Sequence, residues 1–172
     1  MRNLFFLLCG LFIGTSAQAQ DLFSAARSNN TAQLDSLVQQ GAALNQANEK
    51  GFTPLILAVY NDQEDAAIWL LSNGANADAQ DLSGNTALMG AAFKGNLAMA
   101  ELLLKYKANV DIKNYNNATA LHFAATFGQL PIAQCLLQHG ADKSLKDSRG
   151  KTAYEHAQLQ ENAQMMELLA AE

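Results

Sequence analysis

Threonines recur at 53, 86, 119 and 152, alanines at 25, 58, 91, 124 and 157, and leucines at 37, 70, 103, 136 and 169. All three sets keep one step of 33 residues. Gly41, Gly74 and Gly140 keep the same step, with Lys107 in the remaining slot, and alanine follows each of the four, at 42, 75, 108 and 141. No insertion or deletion breaks the register from Asp21 onward. A period of this length marks a chain built by stacking one supersecondary unit that cannot bury its apolar face alone. The core of such a chain is shared between neighbours, so the fold must be elongated rather than centred on a single nucleus.

The residues inside the period say what the unit is. Thr53 followed by Pro54 reads as a helix start, because a threonine oxygen accepts an orphan amide and proline at the first position gives up a donor that would be unpaired anyway. Ala87, Ala120 and Ala153 replace the proline later and lose its fixed entry angle. Leu55, Ala58 and Val59 recur at helical spacing and are expected to face the next unit. Alanines at 58, 91 and 124 let successive helices approach closely. Gly95 and Gly128 are expected to end the first helix in a left-handed conformation, with Asn29, Asp62 and Glu161 as progressively poorer occupants of that slot. A second, more apolar helix follows, with Ile68, Trp69, Leu70 and Leu71 in one unit and Leu102, Leu103 and Leu104 in the next, ended by Gly74-Ala75 or Gly140-Ala141. Projecting hairpin turns should join the units, and Asp21 is expected to cap, or to lie in the first turn of, the first helix.

This pattern resembles the ankyrin repeat, D-x-x-G-x-T-P-L-H-x-A-A-x-x-G followed by an apolar helix ending L-L-x-x-G-A. Residues 81–113, DLSGNTALMGAAFKGNLAMAELLLKYKANVDIK, match most of it. Gly51, Thr53, Pro54 and Leu55 carry it in the preceding unit, and Thr119, Leu121, His122, Ala124, Ala125 and Gly128 in the following one. The resemblance implies an all-α solenoid of about five helix–turn–helix units, at 20–47, 48–80, 81–113, 114–146 and 147–172. It also implies that partners meet the hairpin tips and the exposed edge of the first helices. Those slots hold Glu49, Lys50, Phe52 and Tyr60, then Leu82, Asn85, Phe93 and Lys94, then Tyr115, Asn116 and Phe127, and finally Arg149. Five aromatics fall there although aromatics make up only 8% of the chain, and exposed aromatics among charges suit a protein-binding surface.

Residues 1–19 read as a removable leader. Arg2 supplies the positive start, Leu4 to Ile13 an apolar run, and Ala17-Gln18-Ala19 the small-x-small signal for cleavage after Ala19. The run is far short of the roughly 20 residues that span a bilayer, which disfavours an uncleaved anchor. Leu8 stands where a lipoprotein signal needs a small residue, which disfavours a lipid on Cys9. The expected location is the periplasm of a Gram-negative cell, with release from the cell as the alternative. Without the leader only Cys135 remains, so packing alone must hold the domain. Polar residues at the first unit (Ser28, Thr31, Gln33, Gln39) and the last (Glu155, Gln158, Gln160, Glu161, Gln164) are expected to face solvent at the two ends.

The formal net charge is −5, and a mildly acidic chain repels phosphate backbones, so nucleic acid is not an expected partner. No Gly-rich phosphate loop, nucleophile elbow or paired-carboxylate signature appears. His122, His139 and His156 are evenly spaced but occupy different slots of their units, so they are not expected to share a metal. His122 is expected to buttress its turn, and Cys135 to be a small buried hydrophobe. Glu64 and Asp65 suit a helix first turn, where acids favour the dipole. Neither catalysis, a cofactor nor a metal is expected. The sequence points to a monomeric, non-catalytic binding protein that scaffolds or modulates another exported protein. An immunity-type inhibitor of a toxin, or an enzyme with an unrecognised site, are the competing readings.

Overall fold

The computed structural model describes residues 16–170, with side-chain environments from residue 21. The leader expected at 1–19 lies almost wholly outside the described residues. Ten α-helices follow in pairs: α1 (Ser16–Arg27) with α2 (Thr31–Gln39), α3 (Pro54–Tyr60) with α4 (Glu64–Ser72), α5 (Ala87–Lys94) with α6 (Leu97–Lys105), α7 (Ala120–Thr126) with α8 (Leu130–Gln138), and α9 (Ala153–Leu159) with α10 (Ala163–Ala170). The odd-numbered helices stack on one another as one layer and the even-numbered helices as a second. Strand pairing among the described residues is confined to one isolated bridge, Gln80 with Thr86.

Six of the helix starts are capped by one side chain. Thr53 Oγ1 accepts from the Ile56 amide at 3.3 Å, and Thr86 and Thr152 do the same for Met89 and Glu155. The second helices use asparagine: Asn30, Asn96 and Asn162 each accept from the amide three residues on, at 3.0 Å. Gln63 and Gln129 occupy that slot in α4 and α8 and form no side-chain cap. The expected left-handed slot is left-handed in all five units, with φ of 57° at Asn29, 55° at Asp62, 76° at Gly95, 70° at Gly128 and 53° at Glu161. Asp21 is a correction. In the full-length chain helix α1 begins at Ser16, so Asp21 lies in its middle and is neither a cap nor a first-turn acid there.

The recurrent columns form the core. Leu70, Leu103 and Leu136 are wholly buried, as are Ala25, Ala58, Ala124 and Ala157, with Ala91 at 1% exposure. The alanines sit where the odd-numbered helices meet, so replacing Ala91 with leucine should force α5 away from its neighbours. An urea-unfolding comparison is expected to show a loss of about 1–3 kcal/mol, and an unchanged midpoint would mean the helices are not in close contact. At the far end the column changes character. Gln158 is exposed where Ala92 and Ala125 are fully buried in the inner units. Gln160, Glu161 and Gln164 are exposed as expected, whereas Thr31, Gln33 and Glu155 are half-buried rather than open to solvent.

Candidate protein-binding surface

The hairpins are built by a column of short polar side chains. Asn48 Oδ1 accepts from the amides of Lys50 (2.9 Å) and Phe52 (3.0 Å). Asp81 does the same for Ser83 and Asn85, Asn114 for Asn116 and Ala118, and Asp147 for Arg149 and Lys151. Each turn is thereby folded on itself, and the tips then bond to one another. The Leu82 amide donates to the Lys50 carbonyl (3.2 Å), Tyr115 to Ser83 (3.1 Å) and Ser148 to Asn116 (2.8 Å). This backbone ladder holds four tips in one ridge and frees their side chains. Leu82 is 67% exposed and Tyr115 74%, and Glu49, Lys50, Asn116 and Arg149 are exposed beside them.

The opposite border of the same face is formed by the ends of the first helices. Phe93 and Phe127 are 46% and 47% exposed, with their rings edge to face at 4.7 Å and 84°. Phe123 stacks beside Phe127 at 6.4 Å. Lys94 is committed locally, with Nζ 2.8 Å from Asp62 and donating to the Tyr60 carbonyl at 3.1 Å. The Lys94 and Asn96 hydrogen bonds hold the Asp62 carboxyl below the usual range.

With Lys94, four of the twelve expected contact residues are engaged within the fold, the others being Tyr60, Phe52 and Asn85. Tyr60 folds down over α5 because residue 90 is glycine: a Cβ at Gly90 would come within 2.9 Å of the Tyr60 ring. Burial, with the Asp81 charge adding to it, pushes the Tyr60 hydroxyl pKa up. Phe52 packs against that ring at 6.0 Å and is half-buried with it. Asn85 donates to Asp81 Oδ2 at 3.3 Å and accepts from Asn114 at 2.8 Å, tying two hairpins together. The small residue that lets Tyr60 collapse lies one unit further along the chain, so no local pattern around Tyr60 shows it.

His122 buttresses its turn as expected. Its Nδ1 accepts from the Thr119 amide at 3.1 Å, and its Nε2 donates to the Lys151 carbonyl of the next unit at 3.1 Å. The different slots of His122 and His156 do not keep them apart, since their rings meet edge to face at 5.7 Å. His156 Nε2 lies 2.8 Å from Asp147 Oδ2, and Nδ1 lies 3.1 Å from the Thr126 hydroxyl. All four ring nitrogens are thus engaged in hydrogen bonds. His139 is exposed and donates to the Cys135 carbonyl. Cys135 is buried, and burial with the Glu101 charge pushes its thiol pKa up, away from the reactive thiolate. Glu64 and Asp65 open α4 as expected, and Asp65 also accepts from Asn29 of the preceding unit at 2.9 Å.

Among the described residues no group of three or more His, Cys, Asp or Glu could hold a metal ion, and no helix is long and apolar enough to cross a membrane. A shallow cleft of about 310 Å³ between α8 and α10, lined by Leu130, Gln134, Gln164, Glu167 and Leu168, holds one carboxylate. Lys113 and Lys146 on the hairpin legs lie outside the slots that the repeat pattern marks for contact; the uneven distribution of charge along the chain is the signal that points to them.

A comparison with curated proteins finds no match. The family model of ankyrin repeats in three copies matches residues 22–114 and again 88–172. Repeats of this kind are generally protein–protein interaction modules. The matched residues take in nearly all of the described stack, and the chain belongs to the ankyrin-repeat family.

Proposed function

We propose that this protein is a non-catalytic, monomeric binding module that acts on another exported protein as a scaffold or modulator, through the face bounded by the hairpin ridge and the Phe93–Phe127 shelf. The observation that carries the reading is that shelf. Two adjacent phenylalanines from separate units are both nearly half exposed, whereas Phe52 and Tyr60 are packed down as partly buried filler. A contiguous apolar patch on an otherwise polar rim is the usual mark of a contact site. The export part of the reading rests on the leader in residues 1–19. It predicts a chain beginning at Gln20 in the periplasmic fraction, and a full-length chain confined to the cytosol would overturn it.

The test of the surface is a paired measurement. Replacing both Phe93 and Phe127 with alanine removes the Phe93–Phe127 pair and the Phe123–Phe127 stack, each worth about 0.5–1.5 kcal/mol, so the protein should stay folded with a modestly lower unfolding midpoint. Proteins co-purifying with the wild type from a periplasmic extract should be recovered at least tenfold less well by the double variant. They should be recovered normally by Ile68→Ala, which alters an exposed residue on the other helix layer. Equal recovery by all three proteins, or unfolding of the double variant, would remove this face from the proposal.

A further inference from the structure

Charge is distributed unevenly along the stack. Residues 21–81 carry two cations against eight acids, whereas residues 105–151 carry seven cations against three acids. Four of those cations gather on the last two hairpins. Lys113 and Lys146 take the same position one unit apart, Arg149 is at the tip beside Asn116, and Lys151 is on the leg behind it. Among the described residues none of the four lies within 4.0 Å of a carboxylate.

The acids near them are already engaged. Asp147 accepts from the Arg149 and Lys151 amides and from His156. Glu155 accepts from the Thr152 amide at 2.7 Å and hydroxyl at 3.1 Å, completing the cap of α9. Asp142 accepts from the Ser144 amide and hydroxyl. Those bonds leave the carboxylates charged, and Lys113 still acts on Asp142 and Lys146 and Lys151 on Glu155. The Asp147 side chain, however, is only 8% exposed, so the side chains that face solvent on this ridge are Lys113, Lys146 and Arg149, next to the exposed ring of Tyr115. Although the whole chain is acidic, exposed charges farther away than about 8 Å are largely screened at physiological salt, so a partner touching this ridge experiences its local sign.

We infer that the partner binds through an acidic protein segment, with carboxylates against the Lys113, Lys146 and Arg149 ridge and an apolar side chain on the Phe93–Phe127 shelf. The inference rests on the proposed binding face and adds the chemistry of what it takes. The two borders are separated by the length of a first helix of seven or eight residues, about 10–12 Å at 1.5 Å per residue. A short peptide segment can bridge that distance. An anionic membrane surface would engage the cations and leave the Phe93–Phe127 shelf without a specific role, and a long phosphate polymer would extend over the acidic units.

A random-peptide phage library panned on the purified protein tests this. Enriched peptides should combine an excess of Asp and Glu with an aromatic or large aliphatic residue. Their binding should fall at least tenfold in K113E/K146E/R149E, and should weaken as salt rises from about 50 mM to about 300 mM. The unfolding midpoint of the triple variant serves as its folding control, and K113Q/K146Q/R149Q should give an intermediate loss.

Neutral or basic enriched sequences, absence of enrichment, or indifference to charge reversal would overturn the inference. So would equally tight, ridge-dependent binding to phosphatidylglycerol vesicles. Neutral peptides that still require Phe93 and Phe127 would sink the acidic partner while leaving the binding face intact. Acidic peptides that ignore both phenylalanines would sink the shelf instead.

Discussion

Gly51→Ala is expected to destabilise the protein by about 2–4 kcal/mol, while Gly150→Ala, at the same position of the last hairpin, should cost only about 1–2 kcal/mol. Both glycines are left-handed, with φ of 79° and 75°, so both substitutions carry the cost of placing a Cβ in that conformation. They differ in what lies above them. A Cβ at Gly51 would meet the Leu82 amide nitrogen at 2.5 Å and the Asp81 backbone at 2.9 Å. Both contacts are backbone, which cannot rotate aside as a side chain can. Leu82 would have to move and give up its hydrogen bond to the Lys50 carbonyl, the first rung of the tip ladder. At Gly150 nothing lies within 4 Å, because among the described residues no further hairpin stacks on it. Urea midpoints of the two variants decide the matter, and equal losses would show that the ladder contributes nothing beyond local backbone strain. Asn117 occupies the same slot at φ 55°, so the conformation itself is tolerable for a residue suited to it.

Removing the His122 side chain is the second large effect. Alanine there would leave the Thr119 amide and the Lys151 carbonyl without their partners in a site that is 3% exposed. It would also open a void between α7 and α9. A loss of about 2–4 kcal/mol is expected.

The same residue sets a pH dependence whose sign follows from its environment. Burial lowers the His122 pKa, the neighbouring His156 lowers it further, and hydrogen bonding to the Lys151 carbonyl and the Asp147 charge only partly oppose this. The unfolded chain therefore takes up a proton at this histidine before the folded chain does. The stability contributed by neutral His122 is fully present above the ordinary histidine value near 6.5 and is lost as pH falls through the lower folded value. Asp147 acts in a more acidic window. Burial pushes its carboxyl up, but hydrogen bonds from the Lys151 amide, His156 and the Arg149 amide outweigh that and hold it below the usual range. Its contribution is present above the ordinary carboxylate value and is lost only as pH falls through its lower folded value. Unfolding midpoints should therefore drop between about pH 7.5 and pH 5, and the drop should be smaller in His122→Ala. A wild type equally stable at both values, or a variant with an unaltered slope, would contradict the assignment to His122.

The 33-residue step was legible because each unit makes the same local choices, a threonine cap, small residues at the helix contact and a left-handed stop. Those choices are short-range, and they determined that Thr53, Ala91 and Leu103 would sit where they do. The expectation for Asp21 failed because nothing in the repeat pattern marks where α1 begins. What only the tertiary structure decided depends on residues one unit apart. Tyr60 became filler because Gly90 leaves room for its ring, His122 and His156 met because neighbouring helices bring adjacent slots together, and Asp147 was drawn inward onto His156 and its own turn amides and away from the exposed hairpin cations. A repeat specifies its own unit through near neighbours in sequence, whereas the character of its surface is set by which side chains the next unit leaves room to bury.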